Sequence, residues 1–257
     1  MTFTLLVLAF GGGLFAGLLL FQEIGRRIGV RELDRRSGER GGAGVVEGAV
    51  FGLLALLLGF TFSGAASRFD DRREMIVQEV NAIGTAWLRI DLLPEDSQAG
   101  VRDGFRRYVD ARIAAYAKVP DMSAVKVELE NAQRAQGDIW TRTVAASLTP
   151  EGDRARLLIL PSLNEMFDIA EARLLATRIH PPPVIWVMLA TVALAAAFLA
   201  GYGMASPRGR NWVYMVGFAA TTAVASYVIV NLEFPRLGLV GLKAFDQALV
   251  DVRASMK

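Results

Sequence analysis

Two hydrophobic rhythms alternate along this chain. In the first, apolar residues run on with scarcely a charge, over residues 4–21, 45–66, 184–203 and 212–232. Each run is near the ~20 residues that a helix needs to cross the hydrocarbon of a bilayer. In the second rhythm, between residues 67 and 183, apolar positions recur every three or four residues with charges between them. That spacing lays one apolar stripe along a helix in water.

The change of rhythm inside the stretch from Val45 to Leu93 has no stop signal. Between Val45 and Ala66 the only charge is Glu47. Beyond Arg68, Phe69, Ile76, Val80, Ile83, Trp87 and Ile90 form a stripe among Asp70, Asp71, Arg73, Glu74, Gln78 and Glu79, and the next proline is Pro94. The pattern predicts one long helix that crosses the membrane and continues into water.

The rest of the insert also reads as helix. Pro94-Glu95-Asp96 suits a first helical turn, with acids at the positive end. Val101, Phe105, Tyr108, Val109, Arg112 and Tyr116 then mark an inner face, and Pro120 ends it. Asp121 or Ser123 caps a helix carrying Val125, Leu129, Ala132, Ile139, Trp140 and Val144. Thr149-Pro150-Glu151 is another start signal, and Pro161 is expected to kink or interrupt the helix that follows. Leu163, Met166, Phe167, Ala170 and Leu174 resume the stripe. With no run of alternating strands, the expected fold is all-α: a polytopic membrane protein with four transmembrane helices and a helical insert between spans two and three. The expected connections are a charged connector over 22–44, a basic turn over 204–211 and a tail helix within 233–257. His180-Pro181-Pro182-Pro183 forms a stiff entry to the third span. His180 is either a pH switch or a plain interfacial polar residue.

Composition narrows the chemistry. The 257 residues carry 28 basic and 26 acidic side chains, a net charge of +2, with basic and acidic residues mixed, which argues against nucleic acid as a partner. The absence of cysteine excludes disulfides and thiolate chemistry, and a single histidine makes a His-based metal site within one chain unsuitable. The Asp70-Asp71-Arg72-Arg73-Glu74 run reads as a solvated charge pattern with intrahelical pairs. No nucleophile-and-base pair or phosphate loop stands out, so no enzyme, cofactor or metal is expected. The two short loops carry eight arginines, six before the second span and two before the fourth. The positive-inside bias therefore places the termini and the insert outside the cytoplasm.

Small residues offer packing faces. Gly44, Gly48 and Gly52 recur every four residues and suit a close helix contact; Gly13 and Gly17 offer another or merely reflect membrane composition. Thr61 and Ser63 either line a pore or bond back to their own helix.

GFTFSGAASRFDDRREMIVQEVNAIGTAWLRIDLLP resembles the signature region of the bestrophin-like proteins of bacteria, a family also described as a domain of unknown function. Asn231-Leu232-Glu233-Phe234-Pro235-Arg236-Leu237-Gly238 resembles the segment after their last span. The resemblance covers most of the chain: two spans, a helical insert, two spans and a short tail. Bestrophins proper are pentameric anion channels with an apolar neck on the second span. The resemblance thus implies a homo-oligomer in a bacterial inner membrane, with the lipid bilayer, further copies of the chain and anions as partners. It makes Phe51, Leu58, Phe60 and Phe62 the neck candidates, with Thr61 and Ser63 beside them. The alternative is a membrane-anchored interaction or sensor protein whose insert binds a partner. Whether Glu47, Thr61, Ser63 and Asn231 face an aqueous axis or neighbouring helices separates the two.

Overall fold

A computed structural model describes residues 2–35, 43–206, 209–237 and 243–257. Eight α-helices account for most of them: α1 (Thr2–Arg35), α2 (Ala43–Arg89), α3 (Glu95–Ala117), α4 (Met122–Ser147), α5 (Asp153–Ala176), α6 (Pro183–Gly203), α7 (Trp212–Glu233) and α8 (Lys243–Ser255). There is no strand among the described residues. Helices α1, α2, α6 and α7 are long and apolar enough to cross a membrane. The chain is an all-helical membrane protein.

The change of rhythm in α2 is not a break. The helix runs 47 residues and tightens into a 3₁₀ turn, Ile90–Leu92, before Pro94. Helix α1 likewise passes through Gln22, Glu23, Arg26 and Arg27 to Arg35, so the first half of the charged 22–44 stretch is helical. The second half of that stretch, most of it between residues 36 and 42, lies outside the described residues, as do Pro207 and Arg208 of the basic turn.

The chain divides into two compact units, residues 1–68 with 180–239 and residues 69–179 with 240–257. In the first, α1, α6 and α7 pack with the apolar part of α2 around Leu18, Leu54, Leu189, Ala193, Ala196, Ala197 and Ala219. Backbones meet closely where α1 crosses α6. A methyl group on Gly25 would lie 2.0 Å from the Phe198 carbonyl oxygen, and one on Gly201 would lie 1.9 Å from that of Gln22. Only glycine fits either place. Large apolar side chains point outward instead, including Leu5, Leu53, Val184, Val213 and Val224. Lipid is the natural solvent for such a surface.

The second unit is built from the end of α2 with α3, α4, α5 and α8. Its core holds Ile83, Trp87, Phe105, Tyr108, Ile139, Ile159, Leu163, Met166 and Leu249, all buried. Trp87 meets Phe105 edge-on, with ring centroids 6.0 Å apart. Asp121 caps α4, its carboxylate accepting from the Ser123 and Ala124 amides at 3.1 Å each. Helix α5 starts at Asp153, and Thr149 caps the turn before it, its hydroxyl accepting from the Gly152 amide at 3.1 Å. Of the two outcomes expected at Pro161, interruption does not occur: α5 runs on through it. Pro161 and Leu157, whose carbonyl loses its helical donor at the proline, are both exposed. The Arg89 guanidinium reaches the Leu158 oxygen at 2.7 Å, and the Ser162 hydroxyl reaches that of Ile159 at 2.8 Å.

Candidate functional site

Helix α2 is the least covered of the four apolar helices. One face of it belongs to the subunit's own packing. Leu54 and Ala65 are buried there, and Val50, Phe51, Leu57 and Leu58 are partly buried. Phe51 tilts against Phe218 of α7 with centroids 6.0 Å apart. The opposite face is bare. Leu53, Leu56 and Phe60 are exposed, Phe60 at 68%. Ser63 is exposed with them, three residues beyond Phe60.

The structure therefore divides the six neck candidates. Phe51, Leu58 and Thr61 sit toward the subunit's own helices, whereas Phe60, Phe62 and Ser63 are exposed. The Thr61 hydroxyl donates to the Leu57 carbonyl at 2.6 Å, a bond within its own helix. Phe60 and Phe62 are two residues apart, hence about 200° apart around the helix. A single central axis can face only one of them. Leu56 and Phe60, four residues apart, share a line with Ser63 close by. Gly44, Gly48 and Gly52 are exposed, with open space where a side chain would stand.

Of the other polar residues at membrane depth, Glu47 lies against Gly203 at the end of α6. Asn231 is buried and donates to the Tyr227 carbonyl at 2.8 Å. Glu47 thus turns toward a neighbouring helix of its own unit, and Asn231 bonds back to its own helix.

A charged constellation at the end of α7 escaped sequence reasoning. The Glu233 carboxylate is fully buried. Arg68 grips it through Nε at 3.0 Å and Nη2 at 2.7 Å, and His180 Nδ1 lies 2.8 Å from its other oxygen. The His180 ring stacks on Phe234, with centroids 4.6 Å apart and planes 28° apart. Residues Arg68, His180 and Glu233 each sit at the edge of an apolar run, which is the one signal the sequence offered. The arrangement fastens the middle of α2, where its apolar run ends, the polyproline entry to α6 and the end of α7 to one carboxylate.

The second unit buries a different network. Glu79 is fully enclosed and accepts from Arg112 Nε at 2.7 Å and from Arg173. Arg173 also reaches Asp246 of α8 at 2.8 Å, and Arg112 Nη2 donates to the Tyr116 hydroxyl at 2.6 Å. Burial alone would raise the Glu79 pKa, but the charges of Arg112 and Arg173 outweigh it and hold the carboxyl below the usual range. Two cations against two anions leave no net charge, so the network locks helices together and presents no reactive group. Arg72 is also buried, donating to the Ala176 and Ile179 carbonyls, while Asp70, Asp71 and Glu74 on the same helix are exposed. No group of three side chains suited to a metal ion occurs among the described residues.

Fold and site together define a helical membrane protein whose second apolar helix keeps a bare face. The sequence matches the Bestrophin-like domain over residues 12–243, and the chain belongs to that family. Solved structures agree in fold. One single-residue variant of a bacterial bestrophin homologue from Klebsiella pneumoniae superposes with a TM-score of 0.65 at 16% identity, covering 93% of this chain and 97% of that one. A second variant gives 0.64 at 16% identity, covering 94% and 98%. Among curated proteins, none matches the sequence.

Proposed function

We propose that this chain assembles into a ring of identical subunits that conducts ions through a pore lined by α2. The observation that carries the reading is the bare α2 face. A row of Leu56, Phe60 and Ser63 turned away from its own subunit has nothing to pack on among the described residues. Repeated by symmetry, such a row forms an apolar constriction of the kind that gates by dewetting. Gly44, Gly48 and Gly52 then form the flank on which the neighbouring α2 packs. Of the other neck candidates, Phe62 points away from the axis, and Phe51, Leu58 and Thr61 support the wall from behind. The membrane-crossing parts are assigned to 4–21, 45–66, 184–203 and 212–232, in a bacterial inner membrane, with the insert and termini outside the cytoplasm. The chain acts as a conduit and not as an enzyme.

The sign of the permeant ion is the finer question. The family resemblance implies anions. The exposed acids on α2, Asp70, Asp71 and Glu74, work in the opposite direction, because acidic rings favour cations.

The test is the mass of the detergent-solubilised complex, followed by ion flux from liposomes under a salt gradient. A closed ring whose conduction or gating changes in Phe60→Ala, and less so in Phe62→Ala, is the expected result, and the reversal potential reads the ion's sign. A monomer or dimer without flux overturns the pore. That result favours the anchored interaction module, for which exposed Leu148, Leu157 and Leu158 in the second unit offer an apolar surface.

A further inference from the structure

Three arginines converge on one glutamate at the polar end of α1. Glu23 accepts from Arg26 Nε at 2.9 Å and Nη2 at 3.0 Å, from Arg27 Nε at 2.8 Å, and from Arg210 Nε at 3.2 Å and Nη2 at 3.1 Å. One carboxylate cannot neutralise three guanidinium groups, so this four-residue cluster holds two uncompensated positive charges in fixed positions. The other acids with described surroundings at this end do not relieve it. Glu47 lies against Gly203, and Glu32 is half-buried more than two turns beyond Glu23 on α1. Arg31 adds a further exposed cation one turn beyond Arg27.

The surroundings of the cluster are apolar and exposed. On α1, Ile24 and Ile28 share a face with Arg27 and Arg31, and both are exposed. On α7, Trp212, Val213 and Tyr214 are exposed. The Arg210 guanidinium lies 5.6 Å from the centre of the Trp212 ring. Indole rings of this kind sit at the level of lipid headgroups. A soluble anion would use the arginines and leave the apolar rim idle. An anionic phospholipid uses both, its phosphate on the guanidinium groups and its acyl chains along Leu20, Ile24 and Val213, which are exposed on the membrane side of the cluster.

We propose that Arg26, Arg27 and Arg210, held together by Glu23, form a binding site for the phosphate headgroup of an anionic phospholipid. Glu23 serves as the hub that keeps three like charges together when the site is empty, and Trp212 marks the depth of the headgroup. The site depends only on the chain being a membrane protein, and stands whether or not it conducts.

Native mass spectrometry of the intact detergent-solubilised protein tests it, using phosphatidylglycerol against phosphatidylcholine of the same acyl chains, with inorganic phosphate as a third arm. The expected result is selective retention of phosphatidylglycerol, reduced about tenfold in the double variant Arg27→Gln/Arg210→Gln and unchanged in Arg134→Gln, an exposed site in the second unit. Thermal melting of each variant confirms that the double variant stays folded; if it does not, Arg27→Gln alone serves, with a smaller expected loss. Equal retention of the two lipids, or wild-type retention of phosphatidylglycerol in a folded variant, overturns the proposal. Displacement of the lipid by millimolar inorganic phosphate also overturns it, by showing a site for a free anion.

Discussion

The two units of this chain solve the same packing problem with opposite residues. The membrane unit brings helices together by removing side chains: α1 meets α6 at Gly25 and Gly201, and its core is largely alanine and leucine. The insert unit brings helices together by adding them: Trp87, Phe105, Tyr108 and Met166 fill its centre. Lipid gives apolar side chains no reason to turn inward, so close backbone approach and dispersion carry the contact. In water the hydrophobic effect rewards large buried surfaces. Ionic groups follow the same division. The insert encloses a neutral four-charge network around Glu79, whereas the membrane unit keeps its charges at the ends of its apolar runs, around Glu23 and Glu233.

The sharpest way to break this contrast is Gly201→Val. A side chain there must enter the Gln22 backbone, and neither helix can withdraw without losing the whole crossing. The expected effect exceeds the ~4 kcal/mol that marks exceptional single substitutions. The readout is loss of the monodisperse peak in size-exclusion chromatography of the solubilised protein. Recovery of a normal, thermally stable peak would show that the crossing tolerates separation. In the insert the equivalent injury is a deletion. Phe105→Ala empties a fully buried site beside Trp87 and is expected to cost ~3–5 kcal/mol, seen as a lowered melting temperature of the full chain.

Next comes the ionic core. Glu79→Gln leaves Arg112 and Arg173 buried without their shared anion, a class of change that costs ~3–5 kcal/mol at the strong end. Arg173 keeps Asp246, which places this variant toward the lower value. The same group sets a pH dependence. Its folded-state pKa lies below the unfolded value, so its stabilisation is fully present above the unfolded carboxylate range and is lost as pH falls through the folded value. Thermal melts of wild type should therefore weaken below about pH 4, the ordinary Glu range, and the loss should be smaller in Glu79→Gln. Equal acid sensitivity in the two proteins would remove Glu79 from the account.

The fold was largely legible because both rhythms are strong over many turns. The apolar runs, the unbroken α2 and a cap at Asp121 or Ser123 follow from spacing and local hydrogen bonding, and the structure chooses Asp121. The expected interruption at Pro161 fails because proline's penalty depends on exposure, and both Pro161 and Leu157, whose carbonyl it leaves without a helical donor, are exposed. The candidate site was legible only in part. Composition marks α2 as a span, but the division of Phe51 from Phe60 depends on where α6 and α7 lie. Arg68 and Glu233 are 165 positions apart, and no periodicity joins them. Gly25 and Gly201 resemble any other glycine in a membrane helix until the partner backbone is seen.

The mildest substitution separates two kinds of glycine in the membrane unit. Gly48, unlike Gly201, has open space where a side chain would stand, and it is exposed on α2. Within one subunit Gly48→Ala should be neutral or slightly stabilising, since alanine is favoured over glycine in a helix by up to ~1 kcal/mol. In a ring whose subunits pack through the Gly44, Gly48 and Gly52 flank, the same methyl group meets a neighbouring helix. The expected outcome is therefore split: the variant expresses and folds normally, but its complex falls apart at a lower detergent concentration or temperature than wild type, as read by mass photometry. A variant complex as robust as wild type would move the subunit contact away from these glycines, while leaving the bare Leu56 and Phe60 face still in need of a partner.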